Sequence, residues 1–182
     1  YNYLSNINEY NLIDYLKKSN HDTLILPNYK FSRNFLKKIK FSKIILTGGG
    51  DIFSKNKYEK KRTAIENYLI KYAIKYNIPL LGICRGMQQI CKYLKIKITK
   101  KNGHVRNIHS INIGNKIIRR KSYHNYVIHS SNINKSVEIL GLAKDSTVEL
   151  LKLKNRKVYG MMWHPDRQSY KNFKKDLNLI NF

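Results

Sequence analysis

Cys84 stands where an apolar run ends, inside the pentapeptide GICRG at residues 82–86. This pattern matches the nucleophile elbow usually written G-x-S-x-G, in which a strand turns directly into a helix and exposes the side chain at the turn. The N–H groups at the start of that helix point at the sulfur, which favours the thiolate. The alternative for Cys84 is a small buried hydrophobic residue, which is the interpretation we prefer for Cys91, because it has no glycine frame.

A thiolate nucleophile needs a histidine base that a third group holds in place. His164 is the candidate, because it ends the strand-like segment VYGMMWHPD. Pro165 stops the strand, and Asp166 follows at a distance that lets it return to orient the imidazole. A purely structural histidine is the alternative.

The segment IILTGGGDI runs from an apolar strand into Gly48, Gly49 and Gly50. Glycines let the backbone approach a ligand closely and direct an N–H group at it. No G-K-[ST] follows, so the segment is not a P-loop. A glycine N–H paired with the N–H of Arg85 would complete an oxyanion hole, and each such donor is worth roughly 10²–10³ in rate.

The order of the elements predicts how these segments are positioned. Apolar runs of strand length alternate with helical patterns, which predicts right-handed crossovers and a three-layer α/β fold with a mostly parallel sheet covered by helices on both faces. Helices are predicted at 11–16, 31–39, 57–76 and 86–94, and strands at 23–27, 43–47 and 78–83.

After residue 100 the pattern changes to shorter strand-like pieces separated by turn residues such as Gly114-Asn115. We expect these pieces to add antiparallel strands at one edge of the sheet, and the spacing of Phe173, Leu177 and Ile180 to form a closing helix. The expected strands are 109–114, 116–120, 136–143, 147–153 and 157–163.

Composition limits the class of protein. With 182 residues, 42% of them hydrophobic, we expect one domain over residues 1–182. No apolar run approaches the roughly 18 residues that span a bilayer, and there is no export signal at the start, so we expect a cytoplasmic location. The net charge of +25 indicates either a solvated basic surface or an anionic substrate or acidic partner.

The four segments LTGGGD, GICRGMQ, SYHN and GMMWHPDR together resemble the class I glutamine amidotransferase family, in particular its free-standing γ-glutamyl hydrolase branch. The resemblance covers the chain from about residue 20 onward and implies the flavodoxin-like fold of that family. It also implies roles for ten residues: nucleophile Cys84, base His164 and orienting carboxylate Asp166; oxyanion donors Gly49 and Arg85; and substrate contacts Gly50, Gln88, Ser122, Tyr123 and His124.

Two departures from the family pattern stand out. The third catalytic member is usually Glu, whereas Asp166 is shorter by one methylene, so we expect its contact to be longer or to pass through water. The family begins with a central strand, whereas this sequence begins with a helix-like segment. We therefore expect that strand either to precede the given sequence or to be missing from the sheet.

The chemistry implied by the resemblance is amide hydrolysis through a thioester, which needs no organic cofactor and no metal. The remaining histidines show no ligand spacing of a known metal site, so the sequence predicts none. Two of them, His104 and His124, either border the substrate pocket or are structural.

Within that branch the chain is similar to small hydrolases of surface-polysaccharide modification that release CDP-amidate from γ-glutamyl-CDP-amidate. A pyrophosphate suits arginine. One alternative is a glutaminase subunit that supplies ammonia to a synthase partner, and another is a non-enzymatic basic module that binds nucleic acid, for which no motif is present. The arginines considered for the leaving group are Arg85, Arg106, Arg119, Arg120 and Arg167.

Overall fold

The structure, a computed structural model, describes residues 6–26 and 38–182, without the side chains of residues 6–10. It contains helices and strands that follow the predicted order from residue 43 onward, with one short two-stranded sheet in addition. They are α1 (Asn6–Lys18), β1 (Ile44–Leu46), α2 (Lys57–Tyr76), β2 (Leu80–Ile83), α3 (Arg85–Tyr93), β3 (Thr99–Lys100), β4 (Val105–Ile113), β5 (Lys116–Tyr123), β6 (Tyr126–Val127), β7 (Val137–Ala143), β8 (Val148–Leu153), β9 (Val158–Met161) and α4 (Tyr170–Asn178), with 3₁₀ turns at Ser130–Asn132 and Pro165–Arg167.

The main sheet has the strand order β1-β2-β9-β8-β7-β4-β5. Its first three strands are parallel and the others pair antiparallel, which confirms the α/β class with antiparallel strands at one edge. Strands β3 and β6 form a separate antiparallel pair. Because Ile83 of β2 lies opposite Met161 of β9, the segments that follow these two strands leave the sheet at the same edge.

Helices cover both faces of the sheet, as predicted. Alternate residues of β2 point to opposite faces, so Leu80 packs with α2 and α3 while Leu81 packs with α1 and α4. Each large apolar side chain buried in this way contributes about 1.5–3 kcal/mol. The helix residues in these two layers include Ile70, Ala73, Met87 and Ile90 on one face, and Leu12, Leu16, Phe173 and Leu177 on the other.

Helix α2 begins at the Asn56 cap, whose side chain accepts hydrogen bonds from the N–H groups of Tyr58 and Glu59. It ends at Asn77, which takes the left-handed conformation with φ 52°. The helix carries two buried charged residues, Arg62 and Glu66, one turn apart at its N-terminal end. Its C-terminal half packs an apolar stripe onto the sheet, so α2 combines a core helix with a buried polar end.

The strand predicted at 23–27 is wrong for residues 23–26, which have no regular secondary structure. An apolar run forms a strand only where a ladder and two buried faces are available, whereas Leu24 and Ile25 are 56% and 63% exposed. Pro27 and residues 31–37 of the predicted helix at 31–39 lie outside the described residues. Within the described part of the chain, no helix is long and apolar enough to cross a membrane.

Asp176 of α4 fixes how the chain leaves the sheet beyond β9. Its carboxylate is fully buried and accepts hydrogen bonds from Trp163 Nε1 at 2.8 Å, Gln168 Nε2 at 2.9 Å and Arg120 Nε at 3.1 Å. One carboxylate thereby joins β5, α4 and the segment just before His164. Arg120, one of the arginines considered for the leaving group, is therefore paired with Asp176 and not free to bind a substrate.

We expect Asp176→Ala to lower the free energy of unfolding by about 3–5 kcal/mol, because it leaves the buried indole N–H of Trp163 and the partly buried guanidinium of Arg120 without a partner. Urea denaturation followed by circular dichroism measures this. The control is Asp14→Ala, whose carboxylate pairs with Lys18 on the exposed surface of α1 and whose loss should cost under about 1 kcal/mol. Equal losses in the two variants would contradict the assignment.

Candidate active site

Cys84 occupies a strained turn between β2 and α3. Its backbone has φ 49° and ψ −102°, and its N–H donates to the carbonyl of Met161 at 2.7 Å. A non-glycine residue at such angles costs about 1–3 kcal/mol, which the surrounding structure must offset. The flanking glycines allow close packing: a Cβ on Gly82 would lie 2.5 Å from the carbonyl carbon of Gly86, and one on Gly86 would overlap the carbonyl of Leu46.

His164 follows β9 and is held by the turn after it. Pro165 opens a 3₁₀ turn that carries Asp166 back, so that Asp166 Oδ1 lies 3.2 Å from His164 Nδ1. Both side chains are buried. Asp166 thus reaches the ring directly, at the long end of the hydrogen-bond range, despite being shorter than Glu. Its carboxylate leaves Nε2 as the free ring nitrogen.

Gly48 marks the point where His164 and Cys84 meet. A Cβ placed on Gly48 would lie 3.0 Å from His164 Nε2 and 3.5 Å from Cys84 Cβ, and would overlap the Cε1 atom of the ring. The imidazole and the cysteine side chain therefore lie next to the same small volume, which only a glycine leaves open. The structure brings together the two side chains that the sequence predicts as base and nucleophile.

The guanidinium of Arg62 binds the backbone carbonyls of the glycine loop, which is residues 47–50. It donates to the carbonyls of Thr47 at 2.7 Å, Gly48 at 3.0 Å and Gly49 at 2.8 Å. A trans peptide carries its C=O and the following N–H on opposite sides. Fixing the Gly48 carbonyl on Arg62 therefore turns the N–H of Gly49 away from the guanidinium, as a donor to a ligand requires.

Glu66 connects this loop to the nucleophile turn. Its Oε1 accepts from Arg62 Nε at 2.9 Å, and its Oε2 pairs with Arg85 Nη1. A second carboxylate, that of Glu59, lies 3.1 Å from Arg85 Nη2. The Arg85 side chain is therefore buried in ion pairs and is not free for a leaving group, while its backbone N–H hydrogen-bonds the Cys84 sulfur.

Sequence reasoning missed Arg62, Glu66 and Glu59, although a signal was present. In α2 the apolar residues Ile65 and Leu69 are one helical turn apart, and the residues three positions before them are Arg62 and Glu66. Two charged residues on the buried face of a core helix indicate a paired, functional network rather than a solvated surface.

Burial raises the pKa of the Cys84 thiol to about 11, against the Arg85 N–H and the Arg167 charge, which lower it. The charges of Glu149 and Asp166 raise it further. Desolvation is the largest of these effects, and it opposes the thiolate that the start of α3 is expected to favour. A thiol with a raised pKa depends on a nearby base to lose its proton.

Tyr123 and Arg167 lie beside His164. The Tyr123 ring meets the imidazole edge to face, with centroids 5.8 Å apart, and the Arg167 guanidinium carbon lies 4.5 Å from the centre of the Tyr123 ring. The Nε atom of Arg167 is buried without a hydrogen-bond partner among the described residues. Gln88 is buried one turn into α3, where its amide donates to the carbonyl of Tyr126 at 3.2 Å.

Ser122 and His124, predicted to contact substrate, are engaged in buried hydrogen bonds. Ser122 Oγ donates to the carbonyl of His104 at 2.5 Å, and His124 Nδ1 lies 3.0 Å from the carbonyl of Tyr126. Burial lowers the pKa of His124 to about 3 and raises that of Glu149, 3.7 Å from it, to about 8. The sequence predicts no metal site, yet the fold brings together three side chains that can bind metals, His104, His109 and Glu149.

Because burial raises the pKa of the Cys84 thiol to about 11, we expect iodoacetamide to alkylate Cys84 at a rate that rises about tenfold per pH unit between about pH 7 and pH 10. Mass spectrometry of the Cys84 peptide measures the rate. The Cys84→Ala variant gives the background from Cys91, whose pKa burial raises to about 12. A rate that is already constant at neutral pH would show a resting thiolate and contradict the assignment.

Comparison with known proteins agrees with this geometry. The family model described as glutamine amidotransferase class-I matches residues 2–177. The chain is 35% identical over 128 residues to the γ-glutamyl-CDP-amidate hydrolase of Campylobacter jejuni, covering 69% of this chain and 62% of that protein. It is 30% identical over 103 residues to the carbamoyl phosphate synthase small chain of Buchnera aphidicola, covering 54% of this chain and 27% of that one.

Among solved structures, a glutamine amidotransferase from Thermotoga maritima superposes with a TM-score of 0.69 at 18% identity, covering 93% of this chain and 75% of that one. This likeness shows the fold. The chain spans less than two thirds of the length of both sequence relatives. With a family match over nearly its whole length, a cysteine at the strand-to-helix turn and a histidine beside it, the chain belongs to the class I glutamine amidotransferase family.

Proposed function

We propose that this protein is a cysteine-dependent hydrolase that cleaves a γ-glutamyl amide bond and releases glutamate. The observation that carries the proposal is the meeting of Cys84 and His164 at Gly48, next to a glycine loop whose carbonyls are tied back to Arg62. These parts match the needs of acyl transfer: a nucleophile, a base and oriented N–H donors.

In the first half of the reaction, the Cys84 sulfur attacks the γ-carbonyl carbon while its proton passes to His164 Nε2. The carbonyl oxygen becomes an oxyanion, which the N–H groups of Gly49 and Arg85 stabilise. The C–N bond then breaks, the nitrogen takes the proton from His164, and a γ-glutamyl thioester remains on Cys84. In this scheme the Cys84 thiol loses its proton to His164 during the attack and not beforehand, which fits the raised pKa of the thiol.

In the second half, water attacks the thioester carbon and gives a proton to His164 Nε2. The oxyanion forms again in the same place, the C–S bond breaks, and the sulfur recovers the proton as glutamate leaves. Asp166 acts through His164: its contact with Nδ1 holds the ring and stabilises the imidazolium that forms in both halves. The sequence of bonds made and broken uses no cofactor.

For the substrate, we propose an anionic nucleotide-linked γ-glutamyl amide such as γ-glutamyl-CDP-amidate. The name of the Campylobacter relative supports this choice, as does the net charge of +25. Arg167 is the arginine best placed for the leaving group, because it lies beside Tyr123 and His164 with an unpartnered Nε. The other four are less suitable: Arg85 and Arg120 are paired with carboxylates, and the side chains of Arg106 and Arg119 are exposed on the surface.

A second candidate function is that of a glutaminase subunit which passes ammonia to a synthase partner. The match to a synthase small chain favours it. The two candidates share the thioester chemistry and differ in the leaving group, so a substrate comparison separates them. Membership of an enzyme family argues against the third alternative, a non-enzymatic module that binds nucleic acid.

We expect the protein to release glutamate from γ-glutamyl-CDP-amidate at least about tenfold faster, in kcat/KM, than from glutamine or a γ-glutamyl alkylamine. Cys84→Ala should abolish the release, since loss of a nucleophile removes on the order of 10⁶ in rate. Cys91→Ala, which changes the other buried cysteine, is the matched control and should retain activity. Equal or faster turnover of free glutamine would favour the ammonia-supplying role.

We further expect Arg167→Met to raise KM for γ-glutamyl-CDP-amidate by about 10–100-fold, the value of a charge-assisted hydrogen bond of about 1.5–3 kcal/mol. Turnover of glutamine should change far less, because glutamine has no anionic leaving group. Arg119→Met, at an exposed position on β5, is the control. A parallel loss on both substrates would mean that Arg167 supports the site rather than the nucleotide.

A further inference from the structure

A group of four side chains lies behind Tyr123: His104, His124 and Glu149, which are buried, and His109, which is partly buried. These four residues are here called the histidine cluster. The donor atoms of His104, His109 and Glu149 all lie within 4.8 Å of one another. From Glu149 Oε1, the distance to His109 Nδ1 is 3.9 Å and that to His124 Nε2 is 3.7 Å. The four residues come from separate segments of the chain, before, within and after the β4–β5 hairpin and on β8.

Outer partners fix the orientation of two of the rings. Asp145 Oδ2 lies 2.9 Å from His104 Nε2, and the carbonyl of Tyr126 lies 3.0 Å from His124 Nδ1. A histidine that donates one ring N–H to a carboxylate or carbonyl presents the lone pair of its other nitrogen, which is the arrangement seen around metal ligands. The free nitrogens are therefore His104 Nδ1 and His124 Nε2.

Both free nitrogens are buried and have no hydrogen-bond partner among the described residues, and their residues are only 2% and 4% exposed. Buried polar atoms are paired in nearly all proteins, so each exception needs an explanation. Here the facing groups are two imidazole lone pairs and the Glu149 carboxyl group, which is a further acceptor when it is ionised. Acceptors that face one another need either a proton donor or a cation between them.

We propose that the histidine cluster binds one divalent cation of the Zn²⁺ type, held by His104, His109, His124 and Glu149. Three imidazole nitrogens and one carboxylate oxygen form a ligand set that suits Zn²⁺. A tetrahedral ion with bonds of about 2.1 Å holds neighbouring donor atoms about 3.4 Å apart. The separations of 3.7 Å and 3.9 Å from Glu149 lie near that value, whereas the donor atoms of His104, His109 and Glu149, which are up to 4.8 Å apart, and the His124 ring must move closer around the ion.

The ion would cross-link the β4–β5 hairpin to β8 in the main sheet. His124 immediately follows Tyr123, whose ring contacts His164. A cation in the histidine cluster would therefore fix one wall of the catalytic site without touching the reacting atoms. This inference depends on the cluster alone and stands independently of the reaction proposed above.

The test is titration of untagged, chelator-treated protein with Zn²⁺ by calorimetry and with Co²⁺ by visible absorption. We expect one ion per chain, the intense Co²⁺ bands of a four-coordinate site, and an unfolding midpoint raised by roughly 5 °C or more at saturating Zn²⁺. His109→Gln and Glu149→Gln should weaken binding by about 100-fold or more. Asp145→Asn, which removes only an outer partner, should weaken it by about 10–100-fold.

The control is His21→Gln, a histidine beyond the end of α1, which should leave affinity and stoichiometry unchanged. Circular dichroism of the metal-free variants shows that each is folded, and Asp145→Asn keeps the test usable if a ligand variant is not. Binding of no ion, weak binding at many sites, or an affinity equal in His109→Gln, Asp145→Asn and the unchanged protein would each overturn the proposal.

Discussion

The carboxylate of Glu66, shared between two buried guanidinium groups, is the interaction on which the catalytic edge depends. One guanidinium is that of Arg62, which also binds the carbonyls of the glycine loop. The other is that of Arg85, the first residue of α3. Both proposed oxyanion donors are thus positioned by a single side chain on α2. A buried ion pair adds little net stability, yet removing one partner costs about 3–5 kcal/mol, so this network fixes position more than it stabilises. The network also limits the conformational freedom of the glycine-rich loop, because the Arg62 guanidinium binds the carbonyls of Gly48 and Gly49.

The antiparallel strands of the sheet contribute side chains to the catalytic edge that the three parallel strands do not contribute. The β4–β5 hairpin ends at Tyr123, which contacts the imidazole, and its buried side carries the histidine cluster. Asp176 ties the same hairpin through Arg120 to the indole of Trp163, one residue before His164. His164, the proposed base, is therefore held from two directions: by Asp166 within its own turn, and by the buried carboxylate of Asp176 through Trp163.

The sequence is sufficient where the determinants are local. Cys84 is found from its glycine frame, and the contact between His164 and Asp166 spans two residues and a proline. It is insufficient where the outcome depends on distant packing: Glu66 meets Arg85 across 19 positions, and the histidine cluster gathers segments that no ligand spacing connects. The effect of burial on the pKa of the Cys84 thiol is hidden from the sequence for the same reason, because the start of a helix is a local feature whereas burial depends on the whole fold. Residues 23–26 show the opposite error: their apolar pattern predicts a strand, but in the fold they pair with no neighbouring strand.

The central claim is that Cys84 attacks a γ-glutamyl carbonyl held at the glycine loop. The most direct test is a glutamine analogue in which a chloromethyl ketone replaces the carboxamide, followed by peptide mass spectrometry. The account predicts a single adduct on Cys84, protection by excess glutamate, and slow labelling in Glu66→Gln, where the loop and the turn are no longer held by one carboxylate. An adduct on Cys91, or labelling of Cys84 that glutamate does not slow, would contradict it.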